Sequence, residues 1–317
     1  EARDARIVLH DIQSAQMTDI RQAAALHQTG KLAEAEALYL AILKDNPRHF
    51  DANHLLGVIY IQRGNPQQGA AQIKCALDIN PASAAALSNL GNALRDMKQP
   101  AEALASYDSA LSIDARHADA LFNRGHALKD LGRLEESAES YARASAANPA
   151  RADFFMARAR LLMTLQRRDE ALGALGAAAQ LKPADADIAV MQGNALMELQ
   201  RAGEALAAYD RALALKPDYA EVIVNRGNAL RELRRHDEAL AAYARAAQLK
   251  TGFTDAYINR AQLLLHLKRN AEAAADFRSA LDIDPSRVLA LHGYANALFA
   301  DGAHAQAIDF YRIAAAA

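Results

Sequence analysis

Eight asparagines stand at two phases of a 34-residue spacing: Asn89, Asn123, Asn225 and Asn259 at one, and Asn92, Asn194, Asn228 and Asn296 three residues further on in the period. A primary amide both donates and accepts hydrogen bonds. Amides repeated at even intervals can grip the main chain of an extended peptide without reading its side chains. On a helix the two phases lie about one turn apart on one face. Polar lining without a ligand is the alternative reading of the same residues. Beside them runs an apolar phase, Phe122, Met156, Val190, Val224 and Ile258. It reads either as a hydrophobic strip for the same ligand or as packing against the adjacent helix. Bond-making chemistry has no comparable signal. There is no P-loop, nucleophile elbow or dinucleotide fingerprint. The ten histidines form no metal constellation, since His49 and His54 have no Cys/His cluster beside them. The expected partners are proteins or extended peptide segments, with no catalytic residue, metal or cofactor.

The elements that hold these residues follow from the period itself. Pro47, Pro81, Pro149, Pro183, Pro217 and Pro285 lie on one 34-residue grid, with Ala115 and Thr251 at two further grid points. Setting the proline at position 32 gives nine units: 16–49, 50–83, 84–117, 118–151, 152–185, 186–219, 220–253, 254–287 and a shorter 288–317. Position 8 is small (Gly57, Gly91, Gly125, Ala159, Gly193, Gly227, Ala261, Ala295), and so is position 20 (Gly69, Ala103, Ser137, Ala171, Ala205, Ala239, Ala273, Ala307). Position 24 is aromatic in Tyr39, Tyr107, Tyr141, Tyr209, Tyr243, Phe277 and Tyr311. Self-similarity at this period means a stacked repeat array. In unit 84–117, Leu87, Leu90, Ala93 and Leu94 have helical spacing, and so do Leu104, Tyr107, Ala110 and Leu111. The unit is helix–turn–helix, and the fold class is all-α. Positions 8 and 20 are expected to bring the two helices together. The aromatic is expected to fill the gap between repeats, and the proline to stop the second helix. Residues 1–15, with Ala5, Val8, Leu9 and Ile12, read as an N-terminal capping helix. An uninterrupted period leaves no room inside the chain for a separate catalytic domain.

Charge is balanced, with 36 Lys+Arg against 38 Asp+Glu, so no clustered positive field predicts nucleic-acid binding. No apolar run reaches the roughly 18 residues of a membrane span, and residues 1–15 carry no secretion signal. Cys75 is the one cysteine, which fits a reducing, cytoplasmic setting. Beginning at Glu1, the sequence reads as a fragment or a processed product. Position 2 carries Asp51, Asp119, Asp153, Asp187, Glu221 and Asp255, suited to the positive end of each first helix. Position 7 carries Arg124, Arg158, Arg226 and Arg260, expected to cover apolar surface and secondarily to pair with the nearby acids. In the last unit, positions 23 and 26 hold Phe310 and Ile313 beside Tyr311. That helix is apolar on more than one face. These three residues are expected to meet a following domain or a second copy of the protein.

The pattern resembles the tetratricopeptide repeat (TPR) family across essentially the whole sequence. The resemblance implies a right-handed alpha-alpha superhelix with first helices lining a concave groove. The asparagines resemble the ladder of O-GlcNAc transferase superhelices. The run AAALHQTGKLAEAEALYLAILKDNPRHFDANHLLGVIYIQRGN at 23–65 resembles the start of bacterial TPR proteins fused to SPINDLY-type glycosyltransferases. The implied function is recruitment of substrate to an O-glycosyltransferase, with a free-standing adaptor as the alternative. TPR co-chaperones that clamp acidic tails use basic residues at positions 2, 5 and 6. The acids at position 2 here speak against that mode. Unit 152–185 departs most from the pattern, with Ala159 at position 8 and Leu175 at position 24.

Overall fold

The structure, a computed structural model, describes residues 20–316; the capping helix expected over 1–15 lies outside the described residues. Each repeat is a pair of helices. Repeat 1 contributes α1 (20–28) and α2 (Leu32–Asp45), repeat 2 α3 (Phe50–Gln62) and α4 (Pro66–Leu77), and repeat 3 α5 (Ala84–Asp96) and α6 (Pro100–Ile113). Repeat 4 contributes α7 (Ala118–Asp130) and α8 (Leu134–Ala147), repeat 5 α9 (Ala152–Thr164) and α10 (Arg168–Leu181), and repeat 6 α11 (Ala186–Glu198) and α12 (Ala202–Leu215). Then come α13 (Ala220–Glu232) and α14 (His236–Leu249), α15 (Thr254–His266) and α16 (Asn270–Ile283), and α17 (Val288–Ala300) and α18 (His304–Ala316). No strand occurs among the described residues.

The protein divides into two compact bodies, Glu1–Leu161 and Leu162–Ala317, with the division inside α9. In the first body each helix from α2 to α7 packs on the next, and the first helices of neighbouring repeats also touch, α3 with α5 and α5 with α7. The second body repeats this, with α11 against α13, α13 against α15 and α15 against α17. Among the described residues, second helices of neighbouring repeats make no comparable contact. Within each body the array therefore curves with its first helices on the inner face.

Three local devices build the repeat. Residue 15 of each repeat ends the first helix in the left-handed region. It is glycine at Gly30, Gly64, Gly132 and Gly302, but Lys98, Gln166, Gln200, Arg234 and Lys268 also hold φ of 58–62° there. Except in repeat 5, the turn after the second helix is closed in one of two ways. Asn46, Asn80, Asp114, Asn148 and Asp284 accept the backbone N–H two residues on, at 3.0–3.2 Å. Where Lys216 and Lys250 occupy the same position, the ammonium reaches the position-2 acid of its own repeat, Asp187 at 3.2 Å and Glu221 respectively. Proline is not what stops the second helix. α6 ends at Ile113 and α14 at Leu249, although Ala115 and Thr251 stand on the proline grid. The third device is a bidentate arginine–glutamate pair opening the second helices of the middle repeats, such as Arg235 on Glu238 at 2.7 and 2.8 Å.

The aromatic of position 24 does more than fill the gap between repeats. A Cβ added to Gly125 would lie 2.5 Å from Cε1 of Tyr141, and Gly91, Gly193 and Gly227 face Tyr107, Tyr209 and Tyr243 in the same way. The missing side chain at position 8 is thus the seat of the ring of its own repeat. The rings are buried, and Tyr107 shares a core with Ala120 and Ala127 of the next repeat. In repeat 4, Ser137 and Ser140 add buried hydrogen bonds from the second helix to the carbonyls of Gly125 and Leu121, at 2.7 and 2.9 Å.

Candidate functional site

The first helices of the first body carry Asn89, Asn92, Phe122 and Asn123, and those of the second carry Val190, Asn194, Val224, Asn225, Asn228, Ile258, Asn259 and Asn296. The two asparagine phases differ in what they are bonded to. At position 9, the tyrosine of the same repeat donates its hydroxyl to the amide oxygen. Tyr107 reaches Asn92 at 2.7 Å, Tyr209 reaches Asn194 at 2.8 Å, Tyr243 reaches Asn228 at 2.8 Å, and Tyr311 reaches Asn296 at 2.7 Å. Each bond ties the second helix to the first. The position-9 asparagines therefore offer a ligand their Nδ2 hydrogens and one remaining lone pair on Oδ1, which at Asn194 is taken by Asn225. Burial pushes the phenols of Tyr141 and Tyr243 up to about 12, so the hydroxyl remains a donor at neutral pH.

Three other repeats depart from this pairing. In repeat 4 the partner is His126, whose Nδ1 is hydrogen-bonded to the Tyr141 hydroxyl at 2.9 Å. Burial is the main cause that lowers His126 to about 4, with the Arg95 guanidinium next. In repeat 1, position 9 is Ala24, and the Tyr39 hydroxyl is buried without a partner. In repeat 8 the ring is Phe277, which needs no partner, and position 9 is Gln262.

Position 6 is freer. The half-buried amides of Asn123 and Asn259 make no hydrogen bond to the protein. Asn225 donates to Asn194 Oδ1 at 3.2 Å. Asn89 meets His54 Nε2 at 2.9 Å and accepts from Asn92 at 3.4 Å. Burial lowers the pKa of His54, keeping its ring an acceptor there. In the apolar phase, Val224 and Ile258 are core residues, 5% and 2% exposed, while Phe122 and Val190 are half-buried. Phe122 stacks on Phe154 with ring centres 4.5 Å apart and meets His126 edge-on at 4.6 Å.

The charged phases are mostly satisfied internally. Arg124 pairs with Asp108, Arg226 with Asp210 and Arg260 with Asp276, each at 2.6 Å. These partners sit on second helices, so the expected pairing with position-2 acids does not occur for these three. Packing on the second helix of the preceding repeat (Asp108, Asp210) or of the same repeat (Asp276) brings residues 16 apart together, whereas the position-2 acid lies five residues away on the same helix. The acids have other partners: Arg151 reaches Asp119 at 3.3 Å and Arg287 reaches Asp255 at 2.7 Å. In the last repeat Tyr294 replaces the arginine and meets Phe310 edge-on at 4.7 Å. Phe310 and Tyr311 are half-buried, and Ile313 is 50% exposed. Tyr243, the internal counterpart of Tyr311, is fully buried. No group of three or more metal-ligating side chains converges among the described residues, and no described helix is long and apolar enough to cross a membrane.

The family model described as "Tetratricopeptide repeat" matches residues 20–84, 122–187 and 224–288, and that described as "TPR repeat" matches 91–132 and 193–233. No curated protein matches the sequence significantly. Solved structures do. YrrB, described as a TPR protein with an unusual peptide-binding site, is 24% identical with a TM-score of 0.55 over 63% of this chain and 99% of its own. PilW, described as a widely conserved type IV pilus biogenesis factor, is 22% identical with a TM-score of 0.57 over 66% and 96%. A tetratricopeptide repeat protein from Parabacteroides merdae is 19% identical with a TM-score of 0.52 over 78% and 98%. With its period, its helix pairs and the position-24 ring seated on position 8, the protein belongs to the tetratricopeptide repeat family.

Proposed function

We propose that the protein is a non-catalytic scaffold that holds extended segments of partner proteins on the inner, first-helix face of its repeats. Asn123 and Asn259 carry the reading: their amides are half-exposed, in phase and unbonded to the protein. A polar group that a fold keeps unpaired at its surface is available to a ligand at no cost in internal bonds. Asn89 and Asn225 occupy the same phase. Asn92, Asn194, Asn228 and Asn296 add Nδ2 donors, which favour ligand carbonyl oxygens. Phe122 and Val190 supply apolar contact, whereas Val224 and Ile258 serve the core. The test is replacement of Asn89, Asn123, Asn225 and Asn259 by Ala. Binding to an array of synthetic decapeptides should fall while helicity by circular dichroism is unchanged; equal binding by both proteins overturns the reading.

For the setting, we propose the substrate-recruiting region of a bacterial, cytoplasmic O-glycosyltransferase of SPINDLY type. The support is the resemblance of residues 23–65, and the exposed thiol of Cys75 suits a reducing compartment. The reading frame beyond Ala317 tests it. A glycosyltransferase region there supports the proposal, and its absence favours a free-standing adaptor. We further propose that Phe310, Tyr311 and Ile313 meet a following domain or a second copy of the protein, on the exposure of Ile308 and Ile313, 48% and 50%.

A further inference from the structure

We propose that His236 and His266 form a two-histidine clip for a divalent transition-metal ion, joining repeat 7 to repeat 8. The site lies outside the asparagine phases and does not depend on the groove reading. His236 opens α14 and His266 closes α15, so they are residue 17 of one repeat and residue 13 of the next. At two other junctions of the second body the same pair of positions is bonded. Arg168 donates to Glu198 at 2.5 Å, and Asn270 donates to the carbonyl oxygen of Ala300 at 3.2 Å. Between repeats 7 and 8 two imidazoles meet instead, with ring centres 6.0 Å apart and planes inclined at 59°. Neither ring makes a hydrogen bond, and Nδ1 of His236 is buried without a partner. A buried polar nitrogen left unpaired is costly.

Both rings border one cavity of about 460 Å³, together with Glu232, Gln262 and Leu263. Neutral imidazole suits zinc, copper and nickel. Two metal–nitrogen bonds of about 2.0–2.1 Å, added to the radii of two rings, span roughly 6 Å. The gap between the histidines is of that size. Arg231 and Arg234 also line the cavity. They are opposed by Glu232, which pairs with Arg231 at 3.5 Å, and by Asp237 beside His236 in sequence, so these charges cancel. Two protein ligands leave the other coordination positions to water, and the ion is held less firmly than in a closed four-ligand site. Once bound, it supplies the joint that Arg168 and Glu198 supply between repeats 5 and 6. It stabilises one nearest-neighbour interface of the array.

The experiment uses the protein of residues 1–317, stripped of metal with EDTA, dialysed, and titrated with ZnCl2 in a calorimeter at pH 7.5 without phosphate. One saturable zinc site is expected. With zinc bound, the urea midpoint should rise and amide exchange over 231–238 and 262–269 should slow. His236→Ala and His266→Ala should each abolish the saturable heat and the zinc-dependent slowing, whereas His292→Ala should keep both. His236→Gln, which removes the imidazole but keeps a polar side chain, covers the case of a poorly folded alanine variant. Absence of saturable zinc binding, or zinc binding that survives substitution of either histidine, overturns the clip. A parallel titration with sodium phosphate separates the other chemistry the cavity could serve. Protection of the same segments by phosphate and not by zinc overturns the metal site in favour of an anion held by Arg231 and Arg234.

Discussion

The hydroxyl of Tyr243 on α14 donates to Oδ1 of Asn228 on α13 at 2.8 Å, with the ring lying on Gly227 between them. One residue type thus does two jobs in each such repeat: its ring fixes the helix spacing and its hydroxyl fixes the amide. Tyr243→Phe should cost about 1 kcal/mol, and Asn228→Ala about 1–3 kcal/mol because the phenol is left buried and unpaired. The double variant should cost less than the sum. Repeat 1 permits the reverse experiment. Ala24→Asn gives the Tyr39 hydroxyl its missing acceptor and should raise the urea midpoint. Strict additivity in the first set, or a fall in the second, contradicts the tie.

The left-handed residue at each inter-helix turn gives a second prediction. Lys98 and Arg234 hold positive φ and are exposed, and neither side chain makes a hydrogen bond. Arg234→Gly and Lys98→Gly should each stabilise by roughly 0.5–1 kcal/mol, since glycine adopts this conformation without a Cβ clash. The gain is smaller than the full steric term because glycine also loosens the unfolded state. Thermal melts of the two variants check it.

Much of this was legible in the sequence. In repeat 3, the helices read from Leu87 to Leu94 and from Leu104 to Leu111 are those found at Ala84–Asp96 and Pro100–Ile113. Periodicity reports burial, and burial is what a stacked array repeats. The pairing of Tyr with Asn was missed because its partners lie 15 residues apart on different helices, outside any helical spacing. The signal was present: tyrosine at position 24 accompanies Asn or His at position 9 in most repeats, Phe277 accompanies Gln262, and Leu175 accompanies Arg160. The left-handed turn was hidden for another reason, because lysine, glutamine and arginine occupy it as often as glycine does.

His126 makes stability depend on pH. Its folded pKa, about 4, lies below the ordinary 6.5, so the unfolded state binds the proton first on acidification. The contribution of the neutral ring is complete above 6.5 and is lost as pH falls from there towards 4. His54 is lowered by burial and acts in the same direction. His126→Asn restores the position-9 residue of the neighbouring repeats and removes this titration. The difference between urea midpoints at pH 7.5 and 4.5 should therefore be smaller in the variant. Identical pH dependence contradicts the assignment.

The last repeat gives a test of association. Phe310→Ser with Ile313→Ser should leave the internal repeats folded but abolish any dimer of this protein, or destabilise a longer one in which a domain follows. Full burial of one such side chain is worth about 1.5–3 kcal/mol. Light scattering on residues 1–317 and melts of the longer protein read the two outcomes. No change in either removes the interface.

The most direct test of the central claim is a hydrogen-exchange footprint of the full-length protein with a bound extended peptide. Protection should appear along α5 and α7 of the first body, or along α13 and α15 of the second, the helices carrying Asn89 and Asn123, and Asn225 and Asn259. It should disappear when these four asparagines are replaced by alanine. Protection confined to the second helices, or unchanged in the alanine variant, would contradict binding at the inner face.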